Sequence, residues 1–243
     1  MIMVNHKYIA GERVRVKNTM YRVEDKFCCR ETEMYCLQKR LSSVLQSDSN
    51  ESSTEGYSVC SLYFDDLDNS CLTDTVEGNR VRRKYRARIY NHSLNTIKLE
   101  VKEKLDNRVR KKSRNITEKE LLKLMNGECI ECQPTMEDPA ALFNLAIRTN
   151  HLTPKVIVTY ERKAFIFEPG NVRITLDRNV RSSKCVESFG NPEISYDFFV
   201  EQDKIIEMKY DEFMPEFILQ LLELENMQQI AYSKYQLCRQ KYE

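Results

Sequence analysis

Glycine and proline are scarce in this chain, at six residues each among 243. Collagen-like, low-complexity and disordered chains are rich in one or both, so the composition excludes these classes. Hydrophobic residues make up 41% of the sequence and charged residues 31%. The chain therefore has the apolar content of a folded protein, and its length permits a sizeable core in one large domain or two small ones.

Long apolar runs are also missing from the sequence. Runs such as 156–158 and 217–219 are far shorter than the roughly 20 residues that a membrane-spanning helix requires. Residues 1–15 have neither the apolar core nor the small-residue cleavage site of a secretory signal. We therefore expect a cytoplasmic protein that does not cross a bilayer.

Neither the histidines nor the cysteines form a strong metal motif. His6, His92 and His151 stand far apart, and the CxxC at 129–132 has no second pair. The nine cysteines are an odd number in a chain of this size without an export signal, so we expect free thiols rather than disulfides. A zinc or redox role for the CxxC is therefore not expected.

Positive charge is concentrated in one segment, although the formal net charge is only +1. Residues 80–114 contain fourteen lysines and arginines but only three acids, Glu100, Glu103 and Asp106. Such a segment either binds an anionic ligand or is a solvated basic face without a partner. The spacing of the charges bears on this choice.

The basic residues recur at every second position, which is typical of one face of a β-strand. Segments 80–90 and 97–104 each place cations on one face and apolar side chains on the other. The cationic faces of these two segments hold Arg82, Lys84, Arg86, Arg88, Lys98, Lys102 and Lys104. A turn at 106–107 leads into a third strand, whose predicted cationic face holds Arg110, Lys112 and Arg114. The pattern predicts a basic antiparallel meander.

Helix signals lie between the strand segments. Apolar stripes or capping residues indicate helices over 31–45, 117–127, 139–147 and 215–224. The stretch 47–55 is rich in Ser, Asp and Glu, which predicts a mobile loop. No repeat or composition break divides the chain, so we expect one α+β domain over 1–243, with 1–19 as an N-terminal extension.

The predicted helices need an apolar surface to cover, and a sheet can supply it in two ways. An open sheet would leave its charges in water, whereas a barrel would turn its apolar face outward, under the helices, and line its bore with charges. Further strands, such as 172–177 and 205–210, carry mixed charges on one face, which favours the barrel. A cationic bore needs water, acidic partners or a bound polyanion, and phosphate groups suit Lys and Arg.

Eight short motifs extend over nearly the whole chain. They are RVEDKF at 22–27, SLYFD at 61–65, KYRARIY at 84–90, LEVK at 99–102, YERKAF at 160–165, VRITLD at 172–177, IEMKY at 206–210 and SKY at 233–235. In this order the chain resembles the VTC (vacuolar transporter chaperone) domain, the polyphosphate polymerase branch of the triphosphate tunnel metalloenzymes (CYTH-like), in its stand-alone bacterial form. The resemblance implies an antiparallel eight-stranded β-barrel tunnel with a basic interior and helices packed outside.

The same resemblance implies an activity and the residues that carry it. ATP would donate its γ-phosphoryl group to a growing inorganic polyphosphate chain, with release of ADP and with Mn²⁺ or Mg²⁺ as cofactor. The residues expected to act on the reacting phosphates are Arg86, Arg88, Lys102, Arg162 and Arg173. Those expected to bind substrate phosphates are Lys26, Lys112, Lys209 and Lys234. Glu207 is expected to hold the metal, with Glu24, Glu100 and Asp177 as further candidates for assisting the metal or balancing charge.

Several alternatives stay open at this point. Arg22 stands where the CYTH-type ExExK opening has its first glutamate, which argues against a two-metal hydrolase. A triphosphatase or nucleotide hydrolase on the same tunnel, and a non-catalytic module that binds polyphosphate or inositol phosphates, are the alternative functions. Nucleic acid is not an expected partner, because the cationic face has few aromatic residues for stacking. We expect neither an SPX domain nor a membrane anchor within the 243 residues, so a separate membrane partner and the oligomeric state are left open.

Overall fold

A computed structural model describes residues 23–48, 56–105, 108–202, 204–223 and 227–243. The predicted N-terminal extension, 1–19, lies outside these residues, as does most of the predicted loop. Within the described ranges, no helix is both long enough and apolar enough to cross a membrane.

The described chain forms eleven strands and six helices. The strands are β1 (Val23–Cys28), β2 (Gln46–Ser47), β3 (Tyr57–Asp65), β4 (Val81–Tyr90), β5 (Ser93–Leu105), β6 (Arg108–Ile116), β7 (Thr153–Phe167), β8 (Val172–Ser183), β9 (Phe198–Phe199), β10 (Ile205–Tyr210) and β11 (Gln228–Gln229). The helices are α1 (Glu31–Val44), α2 (Ser70–Val76), α3 (Glu118–Met125), α4 (Pro139–Asn150), α5 (Glu216–Leu222) and α6 (Lys234–Gln240). Two short 3₁₀ turns, Pro169–Asn171 and Val186–Ser188, lie on either side of β8.

All eleven strands belong to one antiparallel sheet, which confirms the α+β class. Its main path runs β11-β1-β10-β8-β7-β3-β4-β5-β6, with β2 on β7 and β9 on β8. Among the described residues no backbone ladder joins β6 to β1, so the expected closed eight-stranded barrel is corrected to an open sheet of eleven strands, nine of them on the main path. The strand number differs because β2, β9 and β11 have two residues each, too few for an alternating pattern in the sequence.

Side chains join the two ends of this path where the backbone does not. Lys102 on β5 donates to both carboxylate oxygens of Glu24 on β1, at 3.0 and 3.1 Å. The charged faces of the long strands therefore enclose an interior although the ladder is open.

Helices cover the apolar side of the sheet in two cores. In the first, Phe143 of α4 packs edge-to-face on Phe64 of β3 and Tyr85 of β4, with ring centroids 5.3 and 5.2 Å apart. In the second, Leu37 of α1 and Ile218 of α5 are fully buried against β8 and β10. The helices thus lie outside and the charged strand faces lie inside, in agreement with the sequence pattern.

Four of the six helices agree with the predicted segments. The predicted capping box begins α3: the Thr117 hydroxyl accepts from the Glu120 backbone N–H at 3.2 Å, and the Glu120 carboxylate accepts from the Thr117 N–H at 2.8 Å. The sequence pattern does not indicate α2 or α6, which are as short as α5 but lack the proline followed by an apolar run that marks α5.

The start of the predicted loop over 47–55 is ordered. Ser47 pairs with Phe165 in the sheet, and Asp48 is buried, with its backbone N–H donating to the Ala164 carbonyl at 3.0 Å. The loop prediction is therefore wrong at its first two residues, because β7 offers them backbone partners. Residues 49–55 lie outside the described part of the chain.

Candidate functional site

The charged faces of β1, β4, β5, β7 and β10, together with residues 229–236, line a cavity of about 940 Å³. Ten lysines and arginines line it: Lys26, Arg82, Lys84, Arg86, Arg88, Lys102, Lys104, Arg162, Lys209 and Lys234. The carboxylates on the wall are Glu24, Asp25 and Glu207. Seven of the nine predicted phosphate-binding residues, together with Glu24 and Glu207, are thus brought to one cavity.

Glu24 and Glu207 lie on the neighbouring strands β1 and β10 and share two lysines. Lys26 Nζ is 3.1 Å from Glu24 and 3.7 Å from Glu207. Lys209 Nζ is 2.9 Å from Glu207 and 3.9 Å from Glu24. Burial and the Glu207 carboxylate raise the pKa of Glu24, but Lys102 and the two shared lysines outweigh them and lower it to about 2. Burial also opposes the charge on Glu207, yet Lys209 and Lys26 hold its pKa well below the usual value. Both acids are therefore ionised at neutral pH.

Glu100 of β5 is fully buried beneath the cavity wall. Its carboxylate lies 2.7 Å from the Arg86 guanidinium, 3.8 Å from Arg88 and 2.9 Å from Lys111 Nζ. Burial favours its neutral form, but Arg86 and Arg88 keep the pKa of Glu100 well below its usual value. Of the two roles expected for Glu100, this geometry favours charge balance, because the carboxylate orients arginines from behind.

Asp177 of β8 does the same on the opposite side. Its two oxygens accept from Arg162 Nε and NH2 at 2.6 and 2.7 Å, and Lys234 Nζ lies 2.7 Å away. Although burial raises it, the pKa of Asp177 is lowered because Arg162 and Lys234 stabilise the anion. Arg162 also reaches Glu207 at 3.3 Å, so it connects the buried acid to the cavity surface.

Hydroxyl groups also hold Arg86 and Arg88 of β4. The Tyr63 hydroxyl accepts from Arg86 at 3.1 Å. Arg88 donates to the Ser61 hydroxyl at 3.2 Å and to the Tyr160 hydroxyl at 3.5 Å. Sequence reasoning missed these tyrosines as cavity residues because they lie on β3 and β7, outside the basic meander. Their position in the YERKAF and SLYFD motifs is the signal that could have found them.

Lys84 of β4 is a further cavity residue, whose strand face but not its role was predicted. Its Nζ donates to the Ser233 hydroxyl at 2.8 Å and lies 5.5 Å from the centre of the Tyr235 ring. Burial and the neighbouring Lys102 and Lys26 hold the pKa of Lys84 well below its usual value. An anionic ligand would supply the counter-charge that favours its protonation.

Lys112 is not on the cavity wall, which corrects its expected role. Two residues separate β5 from β6, so Lys102 pairs with Lys111 and the side chain of Lys112 turns to the outer face. There its Nζ lies 2.8 Å from Glu103. Because side chains alternate along a strand, the register of the hairpin decides this placement.

Arg173 of β8 is not among the residues that line this cavity, although it pairs with Lys209 across β8 and β10 and so shares its face of the sheet. It forms an ion pair with the buried Asp48 and donates to the Tyr57 hydroxyl at 3.0 Å. These contacts fasten β8 to the segment after β2, and the expected contact of Arg173 with reacting phosphates stays a prediction. The sequence could not show this, because Arg173 and Asp48 are 125 positions apart.

The cysteines and the described histidines lie away from the cavity wall. The nine cysteines are free thiols. The CxxC lies beside α4, where the Asn144 side-chain amide donates to Cys132 Sγ at 3.3 Å. His6 lies outside the described residues.

A divalent metal fits the cavity wall only as part of a larger ligand set. The described residues contain no group of three or more His, Cys, Asp or Glu side chains placed to hold a metal ion. Mg²⁺ is, however, commonly bound by one or two carboxylates together with substrate phosphates and water. Glu24 and Glu207 are ionised neighbours on the wall and fit this partial set. The buried Glu100 and Asp177 do not.

Fold and site together define a class of α+β protein in which one antiparallel sheet surrounds a strongly basic cavity. The chain belongs to the VTC domain family, whose model matches residues 21–242. The family resemblance of the sequence motifs is thereby confirmed. No curated protein matches the chain.

Three solved structures have a similar fold at low sequence identity. A Hippeastrum protein, described as a candidate adenylyl cyclase with a dominant triphosphatase activity, aligns with a TM-score of 0.56 and 14% identity over 91% of this chain and 96% of its own. A candidate adenylate cyclase of Bacillus halodurans aligns with a TM-score of 0.55 and 14% identity over 88% and 94%. One from Vibrio parahaemolyticus aligns with a TM-score of 0.50 and 13% identity over 90% and 99%. At these identities the likeness shows a shared fold.

Proposed function

We propose that the protein is a metal-dependent polyphosphate polymerase, a phosphotransferase that moves the γ-phosphoryl group of ATP to the end of an inorganic polyphosphate chain and releases ADP. The observation that supports this best is the excess of ten lysines and arginines over three carboxylates on one cavity wall. Membership of the VTC domain family supports the same assignment.

The size and charge of the cavity suit two phosphate chains. Its volume of about 940 Å³ is at the upper end of the usual range for small-molecule sites. A nucleoside triphosphate alone would leave part of the positive wall unbalanced, whereas a triphosphate beside a polyphosphate end would meet more of the cations. A donor and an acceptor therefore fit better than a donor alone.

The arginines are oriented before substrate binds. Glu100 holds Arg86 and Arg88, and Asp177 holds Arg162, so the three guanidinium groups are fixed at the cavity wall. In the transfer step, a terminal polyphosphate oxygen forms a bond to the γ-phosphorus while the bond to the ADP oxygen breaks. No protein nucleophile is required, and the arginines bind the oxygens on which negative charge develops.

The carboxylates and lysines have complementary roles. Glu207, with Glu24 beside it, would hold Mn²⁺ or Mg²⁺ together with the phosphates. Such an ion would supply positive charge that offsets the negative charge of the phosphates during transfer. The lysines of the wall bind the remaining phosphate oxygens and hold the polyphosphate end in line with the γ-phosphoryl group.

Hydrolysis is the second candidate at the same site. If water replaces the terminal phosphate as acceptor, the same residues release inorganic phosphate. The triphosphatase activity described for the Hippeastrum neighbour supports this candidate.

Incubation of the purified protein with ATP, Mn²⁺ and a short polyphosphate primer separates the functions. Longer chains with an equal amount of ADP would establish the polymerase. Free phosphate without longer chains would move the assignment to a hydrolase. Retention of polyphosphate without either product would leave a binding module for polyphosphate or inositol phosphates.

Two variants and one control sharpen this experiment. We expect Glu207→Gln to keep polyphosphate binding and to stop turnover, because it removes a proposed metal ligand. Arg88→Ala should weaken both binding and turnover. Arg110→Gln, on the outer face, should change neither. Full activity in the Glu207→Gln protein would contradict the metal assignment.

A further inference from the structure

Two sequence motifs that the proposed mechanism does not fully use, SLYFD at 61–65 and SKY at 233–235, meet in the structure. The Tyr235 hydroxyl donates to the Asp65 carboxylate at 2.6 Å, although the two residues are 170 positions apart. Asp65 is fully buried and Tyr235 is 1% exposed. The bond thus joins the end of β3 to the first turn of α6 in a dry environment, where such a bond is strong.

The Asp65 carboxylate is itself held in place. It accepts from the backbone N–H groups of Cys71 and Leu72 at the start of α2, at 2.9 and 3.1 Å. Burial and the Asp65 carboxylate raise the pKa of Tyr235, so the phenol stays protonated and remains the donor. The start of α2 therefore fixes the acceptor, Asp65, and the donor, Tyr235, lies in the first turn of α6.

The residues next to Tyr235 in the chain are cavity residues. Lys234 forms the 2.7 Å ion pair with Asp177, and its Nζ lies 4.7 Å from the centre of the Tyr160 ring. The Ser233 hydroxyl accepts from Lys84. Any rotation of the first turn of α6 would therefore move two cavity side chains together.

We propose that Asp65 and Tyr235 are positioning residues that hold the first turn of α6 so that Lys234 and Ser233 reach the phosphate-binding wall. They act through Lys234 and Ser233 and transfer no proton. The assignment of phosphate as the ligand rests on the proposed function, whereas the placement of Lys234 does not.

A second contact keeps α6 docked when the first is lost. Arg239, near the end of α6, donates to the Asn69 side-chain oxygen at 2.7 Å. The Tyr235 ring also packs on Tyr63, with centroids 4.8 Å apart. Tyr235→Phe removes only the hydroxyl and keeps these contacts, so we expect the variant to fold and the effect to be local.

The test compares Tyr235→Phe with Tyr242→Phe. Tyr242 lies in the same C-terminal segment, and its hydroxyl shares a 3.0 Å hydrogen bond with Ser182 instead of Asp65. In the ligand-free proteins, a lysine-acylating reagent and mass spectrometry report how well Lys234 is protected. We expect Lys234 labelling to rise severalfold in Tyr235→Phe and to stay at the wild-type level in Tyr242→Phe.

Binding of inorganic tripolyphosphate gives the second measurement. We expect Tyr235→Phe to raise its Kd about fivefold, in line with the loss of one buried hydrogen bond. In a Lys234→Met background the same change should have no further effect, because the residue it positions is gone. Equal Lys234 labelling in wild type and Tyr235→Phe, or additive losses in the double variant, would overturn the proposal. If the wild type does not bind tripolyphosphate, the proposed function fails, and the labelling result alone decides the positioning role.

Discussion

Both faces of the β4–β5–β6 meander carry cations, but the cations of the two faces have different partners. On the outer face, Lys112 and Arg114 each have a carboxylate close in sequence, Glu103 at 2.8 Å and Glu120 at 3.0 Å. On the inner face Arg86, Arg88 and Lys111 share one carboxylate, Glu100 of β5. Lys102 reaches Glu24 of β1, and Lys84 contacts a serine and an aromatic ring. A basic segment therefore marks an anion site where its cations outnumber the carboxylates close enough to pair with them, whatever the net charge of the segment.

The largest expected effect comes from removing an inner carboxylate. Glu100→Gln leaves Arg86 and Arg88 without their buried counter-ion, so the free energy of unfolding should fall by about 3 kcal/mol. Urea denaturation measures this, and added tripolyphosphate should restore part of the loss because it replaces the missing negative charge. A loss below about 1 kcal/mol, as for an exposed pair, would show that the inner and outer faces do not differ in this way.

The next effect concerns affinity rather than stability. Lys102→Met should weaken tripolyphosphate binding about tenfold, because a charge-assisted hydrogen bond to the ligand is lost. Lys112→Met, the matched change on the outer face of the next strand, should alter the affinity less than about twofold. Isothermal titration calorimetry measures both. Equal losses in the two variants would place the ligand outside the cavity.

A smaller effect concerns proton uptake at Lys84. Its pKa in the free protein is lowered by burial and by Lys102 and Lys26, and a bound anion raises it again. Between the lowered pKa and the usual value, binding should therefore take up protons and should weaken as pH rises. Calorimetry in buffers of different ionisation enthalpy measures the uptake, which Lys84→Met should reduce. An unchanged uptake in that variant would assign the proton to another group.

The stability of the ligand-free protein depends on pH in the opposite direction to its affinity for the anion. A lysine whose pKa is lower in the folded protein binds fewer protons there than in the unfolded chain. Between that lowered pKa and the usual value, the ligand-free protein should therefore gain stability as pH rises, while its affinity for tripolyphosphate falls.

The smallest effect is expected on the outer face. Arg110 pairs with Glu137, whose side chain is 58% exposed. Because solvent screens such a pair, Arg110→Gln should change the free energy of unfolding by about 0 to 1 kcal/mol. Thermal or urea denaturation checks this, and a larger loss would mean that the outer pairs also carry stability.

Alternation along single strands was enough to find most of the cavity wall. The period-two pattern placed Arg86, Arg88 and Lys102 on one face, and the structure keeps them there. It failed at Lys112 because Lys111 and Lys112 are both basic, so composition could not choose between them. The two-residue spacing between β5 and β6 could have done so, since it fixes which of them opposes Lys102.

The remaining features depend on contacts between distant parts of the chain. Nothing near Glu100 or Asp177 in the sequence distinguishes a buried counter-ion from a metal ligand, because burial decides it. The sequence did not show that Arg173 pairs with Asp48, because the two residues are far apart in the chain. The helix that carries Lys234 is too short for a periodic signal, and its position depends on a hydrogen bond to Asp65.

The gap in the sheet between β6 and β1 has a consequence of its own. Backbone ladders hold their strands together at any ionic strength. Across the gap, Lys102 of β5 and Glu24 of β1 are joined by an ion pair, which salt screens. A polyanion that draws Lys102 toward itself competes with that ion pair. Entry of the ligand and loosening of the contact between β5 and β1 are therefore coupled. This contact is the part of the cavity wall whose strength depends on the surrounding solution.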